Sequence, residues 1–118
     1  LIGMETFEDE SEIKAAQGAL NNTWYVNASD PSAEFVAEYK KRYGEHPGWA
    51  AGNAYDSLML LAQAARASGS GNIKVRDYLR AVKGYSGAAG NYSASGDNRF
   101  TLPAALKRVK NHGFEPLR

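Results

Sequence analysis

The chain has no cysteine among its 118 residues. That excludes disulfides, thiolate metal sites and cysteine nucleophiles, and leaves packing and hydrogen bonds to hold the fold. It does not fix a compartment, since a large exported protein can be stable without bridges. No apolar run approaches the ~18 residues of a membrane-spanning helix. An excess of one charge is also missing. The formal net charge is +1, so nothing in the charge balance favours nucleic acid or an anionic membrane as a partner. The two histidines, His46 and His112, sit in turns beside Pro47 and Gly113. Neither has metal-ligand spacing to another histidine or carboxylate. No Gly-x-Ser-x-Gly elbow is present. The turns Gly69-Ser-Gly71 and Gly87-Ala-Ala-Gly90 fit neither the phosphate-loop nor the dinucleotide fingerprint. The residues therefore offer no catalytic constellation, no metal site and no cofactor site.

Hydrophobic residues make up 43% and charged residues 23%, ordinary values for a globular domain. At this length the chain is expected to be a single unit, residues 1–118, with one core. Leu1 to Met4 is a short apolar run that reads as a buried strand. The acidic, alanine-rich stretch Glu8 to Gln17 reads as a short helix, with Gly18 beyond it. Thr23-Trp-Tyr-Val26 is β-branched and aromatic between asparagines and reads as a second strand. Asp30 and Pro31 are expected to cap and open a helix on which Phe35, Val36, Tyr39 and Tyr43 share a face and which Gly44 ends.

Pro47 to Ala67 holds the longest helix. Its expected buried stripe is Ala51, Ala54, Tyr55, Leu58, Leu61, Ala62 and Ala65, and Met59 and Leu60 add apolar surface on other sides, so cover is expected on more than one face. Ser68 to Gly71 is a flexible link. Asn72 is expected to cap a further helix with Val75, Tyr78, Leu79 and Val82 inward, ended by Gly84. From Tyr85 to Phe100, glycines with asparagine and serine between them mark turns and short strands. Leu106 to Val109 and Phe114 to Leu117 flank Asn111-His-Gly113, a hairpin signature. The order β-α-β-α-α-α with a β-rich tail is α/β, with too few strands for a complete doubly wound sheet.

Three places are candidates for ligand contact. Glu5 follows the first apolar strand, where an α/β sheet presents groups to a cleft. A carboxylate there can pair with a ligand ammonium. The residues alone leave this open against an exposed loop glutamate in the acidic patch Glu5, Glu8, Asp9, Glu10 and Glu12. Tyr55 and Asp56 lie early in the long helix. The alternatives there are a ligand contact and, more simply, a core tyrosine beside an aspartate favoured by the helix N-terminus. Trp24 and Trp49 could stack on a ligand or belong to the core.

The run Glu34-Phe-Val-Ala-Glu-Tyr-Lys-Lys-Arg-Tyr-Gly44, then Pro47, then Gly52-Asn-Ala-Tyr-Asp-Ser-Leu-Met-Leu-Leu-Ala-Gln-Ala-Ala65 resembles the type I periplasmic binding proteins, extracytoplasmic solute receptors of ABC transporters. Leu1-Ile-Gly-Met-Glu-Thr-Phe7 is similar to the strand and ligand loop of that family's second lobe. Ala19 to Val26 is similar to the next strand, Gly87 to Asp97 to a Gly-rich turn and strand, and Leu106 to Leu117 to the terminal hairpin. The resemblance covers nearly all of the chain and rests on order and spacing. It implies a partial doubly wound lobe with a β-rich tail, a C-terminal piece of a two-lobed receptor, with the chain start an artificial or processed boundary.

The implied activity is binding of an amino acid or related solute between two lobes, in the periplasm or outside the cell, with an ABC permease as partner and no reaction. The same fold serves ligand sensing in signalling receptors, and the stretch around Asp97 also resembles receptors for aromatic acids. The resemblance puts Glu5 where amino-acid-binding members hold the ligand ammonium, and Trp49, Ala50 and Tyr55 at the cleft border. A piece lacking the rest of its lobes is expected to self-associate through unpaired strand edges.

Overall fold

The computed structural model describes residues 2–3, 5–68, 71–111 and 113–117, with the side chains of Ile2, Glu5 and Thr6 outside the description. The expected parts that fall on Leu1, Met4, Gly69, Ser70 and His112 therefore lie outside the described residues. The elements run β1 (Ile2–Gly3), a 3-10 turn (Glu5–Glu8), α1 (Glu10–Ala15), β2 (Trp24–Ala28), α2 (Ala33–Tyr43), α3 (Ala51–Ser68), α4 (Asn72–Ala81), β3 (Tyr85–Ser86), β4 (Asn91–Ala94), β5 (Phe100–Thr101), β6 (Ala104–Lys110) and β7 (Gly113–Pro116). This is the α/β order expected from the pattern. The contacts divide the chain into two compact units. The first is residues 1–29 with 104–118, and the second is residues 30–103.

The first unit is a four-stranded sheet in the order β1-β2-β6-β7. β1 runs parallel to β2, and β2, β6 and β7 are antiparallel neighbours. The last two form the expected hairpin: Lys110 pairs with Gly113, and Asn111 takes the left-handed backbone, φ +50°, that a two-residue turn demands. One face of this sheet carries Tyr25 and Val109, which pack with Ile13 of α1 and with Phe7 and Leu20. Phe7 meets the Tyr25 ring edge-on at 6.0 Å between centroids.

Lys107 is on the same face, and its placement is the unit's unusual feature. It is 1% exposed, and its Nζ lies 2.5 Å from Glu8 Oε1. The Tyr25 hydroxyl donates to the same carboxylate at 3.2 Å, and the Phe114 ring lies 5.6 Å from Nζ. Glu8 therefore belongs to the interior and not to an exposed acidic patch. Alternation along β6 dictates this: with Val109 inward, Lys107 is inward too, and Leu106 is turned to the other face.

The second unit holds the three long helices and the antiparallel sheet β3-β4-β5. Two expected caps are corrected. Ser32, not Asp30, caps α2: its Oγ accepts from Phe35 N at 3.2 Å, the reach of an N-cap hydroxyl to the third helical amide. α4 has Gly71 at its N-cap and Asn72 already helical, and it ends at Ala81 instead of Gly84. It stops early because Val82 turns extended and its carbonyl accepts from Ala94 N on β4. Gly84 instead serves the following turn at φ +66°. Gly44 ends α2 as expected, at φ +76° with its amide on Lys40 O.

The buried line of α3 also differs from the expected stripe. It is Gly52, Asp56, Leu60 and Ala64, while Tyr55, Leu58 and Leu61 are about half exposed or more. The helix turns toward its neighbours the side that fits the 87–90 loop, which is not its most apolar side.

Removing one partner of a buried pair strands the other charge, at ~3–5 kcal/mol. Lys107→Met should therefore cost the first unit several kcal/mol in denaturant unfolding, and Glu8→Gln added to it should restore much of the loss. On the sheet rim, Arg108 and Lys110 both bind the Glu115 carboxylate and hold its pKa below 4.5, the Arg108 hydrogen bond being the larger cause. A depressed acid stabilises the fold above its unfolded pKa and loses that contribution as pH falls through the folded value. The β6–β7 amides should report a titration whose midpoint lies below that of an ordinary glutamate, with the native shifts lost as pH falls through it, and Glu115→Gln should abolish the transition.

Candidate functional site

Glu5 opens the 3-10 turn directly after β1, at the carboxyl end of a strand that pairs parallel with β2. Its side chain is outside the described residues. It belongs to the first unit, and the other candidates belong to the second.

Trp49 and Ala50 form the turn that leads into α3. Trp49 is 45% exposed and Ala50 half-buried. The Ala50 carbonyl accepts from Ala54 N at 3.0 Å, which starts the helical ladder. Tyr55 is 49% exposed and is no core residue. Its ring lies 5.4 Å from Phe35, the first of three rings at helical spacing on α2, with Tyr39 5.9 Å further along and Tyr43 4.6 Å beyond that. Trp24, on β2 of the first unit, is 42% exposed. The exposed Trp49 and Tyr55 flank the first turn of α3 and offer aromatic surface to an incoming apolar group.

Asp56 is placed differently. It is 0% exposed, and both oxygens are occupied within the protein. Ala88 N donates to Oδ1 at 2.6 Å and Ala89 N donates to Oδ2 at 2.8 Å. The Gly87–Gly90 turn closes on itself through Gly87 N to Gly90 O, and Ala88 O accepts from Ser32 N at the start of α2. Gly87 is required by contact: a Cβ there would lie 2.5 Å from the Asp56 carboxylate. Asp56 is thus the anchor of a backbone nest that fastens the loop to α3. The ordinary reading of it as a helix-terminus charge underestimated its burial, and the Gly-Ala-Ala-Gly spacing was the available signal.

Next to it, the Tyr92 hydroxyl donates to Asn53 Oδ1 at 3.0 Å, and the Tyr85 ring lies 6.0 Å away. Burial, and then the Asp56 charge, pushes the pKa of both phenols upward. They are therefore neutral hydrogen-bond donors at physiological pH. His46 Nδ1 lies 3.1 Å from Pro47 O, to which it donates when that nitrogen carries the proton, a local turn contact. Among the described residues no group of three His, Cys, Asp or Glu side chains could hold a metal.

Asp56→Asn would turn an amide donor toward Ala88 N or Ala89 N and leave one buried group unsatisfied, at ~1–3 kcal/mol. The loss should appear as a lower unfolding midpoint. Ultraviolet titration of the variant should show Tyr85 and Tyr92 ionising at lower pH than in the parent, because the repelling charge is gone. Gly87→Ala should destabilise to a similar extent with the tyrosine titration less altered.

The family model described as Periplasmic binding protein matches residues 4–113. No curated protein matches the chain. Among solved structures, the leucine-binding protein LivK of Thermotoga maritima has a TM-score of 0.85 at 22% identity, over 99% of this chain and 36% of its own. The isoleucine complex of the branched-chain amino acid transporter substrate-binding protein LivJ from Streptococcus pneumoniae has a TM-score of 0.80 at 26% identity, over 98% and 36%. A solute-binding protein of an ABC transporter from Rhodopseudomonas palustris BisB5, in complex with 3,4-dihydroxybenzoic acid, has a TM-score of 0.72 at 24% identity, over 92% and 32%. The chain spans about a third of the length of these proteins. The family is one of solute-binding proteins. With the match extending over almost its full length, the chain belongs to the periplasmic binding protein family.

Proposed function

We propose that this chain is part of an extracytoplasmic solute-binding component of an ABC transporter, which holds an amino acid or related small solute between two lobes and delivers it to a membrane permease. The observation that carries the reading is the family match over residues 4–113, joined to the fold shared with a branched-chain amino acid receptor seen with isoleucine. Receptors of this kind act by binding and closure, so the absence of a catalytic constellation in the sequence agrees with it. The family's place in the periplasm or outside the cell sets the proposed location.

In the proposed site Glu5 receives the solute ammonium. The strand end it follows is a customary position for ligand groups in α/β sheets. Within the second unit, Trp49, Ala50 and Tyr55 form an apolar border of their own for solute contact, for which the exposure of Trp49 and Tyr55 is favourable. Asp56 acts on this border indirectly, by fixing the Gly87–Gly90 loop against α3, since both its oxygens are taken. The dihydroxybenzoate-bound neighbour favours a second reading, in which the solute is an aromatic acid and Glu5 has no ammonium to bind.

Removing one partner of a buried charge pair costs ~2–5 kcal/mol. In the intact receptor, Glu5→Gln should weaken amino-acid binding more than tenfold by calorimetry and change the binding of deaminated analogues much less. Equal amino-acid affinities for parent and variant would remove Glu5 from the site, and tight binding of an aromatic acid by both would establish the second reading.

A further inference from the structure

Within the second unit, α4 and the β4–β5 hairpin enclose a groove of about 300 Å³. Val75 and Leu79 of α4 form one wall, and Ala94 and Phe100 form the other. Three guanidinium groups stand around this apolar trough, those of Arg76, Arg80 and Arg99. They are not equivalent. Arg76 is paired with Asp77 at 2.7 Å and Arg99 with Asp97 at 3.5 Å. Arg80 has no carboxylate within ion-pair distance among the described residues. Its Nε donates to a neutral acceptor, the Asn98 side-chain oxygen, at 2.7 Å. That bond orients the guanidinium without neutralising it and leaves both terminal nitrogens without a hydrogen bond among the described residues.

We propose that this groove is a binding site for a small apolar monocarboxylate, with the hydrocarbon or ring between Leu79 and Phe100 and the carboxylate on the terminal nitrogens of Arg80. The planar fork of arginine suits a two-oxygen anion. The volume is at the small end of ligand pockets, ~300–1,000 Å³. Asp77 and Asp97 cancel the two other arginines, so the groove carries one uncompensated positive charge. That sets the preference for one negative charge over two. Asn98 sets the geometry: it holds the left-handed backbone, φ +64°, at the tip of the hairpin, from which its side chain reaches back to α4. None of Glu5, Trp49, Ala50, Tyr55 or Asp56 lines the groove, so the proposal goes beyond the solute site and does not depend on it.

The test is protein-observed NMR on the full chain with octanoate as probe and octanamide as its neutral counterpart. Octanoate should produce saturable shifts at the amides of Leu79, Gly96 and Asn98. Octanamide should bind at least fivefold more weakly, and so should octanoate to Arg80→Gln. Asn98→Asp, which sets a carboxylate against Arg80 at a backbone position aspartate tolerates, should produce the same loss without truncating a side chain, and it decides the matter if Arg80→Gln fails to fold. Arg66→Gln, on α3 and outside the groove, should leave affinity unchanged. Absence of saturable shifts at the groove amides, equal binding of octanoate and octanamide, or unchanged affinity in Asn98→Asp would each overturn the proposal.

Discussion

A carboxylate cut off from water must find all its hydrogen bonds inside the protein, and the second unit is arranged around the place where Asp56 does so. Two consecutive backbone amides, from Ala88 and Ala89, meet its two oxygens. The requirement propagates outward. The chain can present those amides only if it turns sharply, so Gly87 must lack a side chain. The turned loop then offers the Ala88 carbonyl to Ser32 at the head of α2, and Gly52 of α3 passes beneath Ala89, where an added Cβ would be 3.2 Å from its methyl group. A helix, a second helix and a strand are thereby fixed against one another by one side chain. The direction of α3 follows from it as well, because the line through Asp56 must face inward even though the opposite side is the more apolar.

The first unit meets the same demand with a cation. Lys107 is committed to the interior by alternation on β6, and Glu8, Tyr25 and Phe114 supply a carboxylate, a phenol and a ring face around it. A buried pair of this kind adds little net stability, because desolvation offsets attraction. It specifies register instead. A shift of one residue between β2 and β6 would put Lys107 on the other face, away from Glu8, and bring Leu106 in against Tyr25.

What was legible beforehand follows from how local each signal is. Gly44 and the Asn111 turn are dictated by φ angles that few residues adopt, so they could be read from a few adjacent letters. The order of helices and strands followed from periodicity for the same reason. The fold family was legible from the order and spacing of several such segments. The helix caps at Ser32 and Gly71 were missed by one or two residues because Asp30 and Asn72 are equally good local candidates. At α2 the approach of Ala88 to Ser32 favours Ser32, and at α4 it is the early stop, not the cap, that follows from the approach of Ala94 to Val82. The spacing of Gly87 and Gly90 signalled a tight turn but not what it holds, because the partners lie far along the chain: residues 88 and 89 for Asp56, and residue 8 for Lys107. Arg80 carries no local signal either, since the Asn98 that orients it lies 18 residues on.

The chain passes between its two units twice, at Ser29–Asp30 and at Pro103–Ala104. The first unit is therefore built from the two ends of the chain, and the second is a continuous insertion between them. Closing so long a loop has an entropic cost that grows with its length but falls when the loop is already compact. The pairing of β2 with β6, Ala28 opposite Ala104, is therefore a contact of long sequence separation, the kind that sets a slow pace for folding.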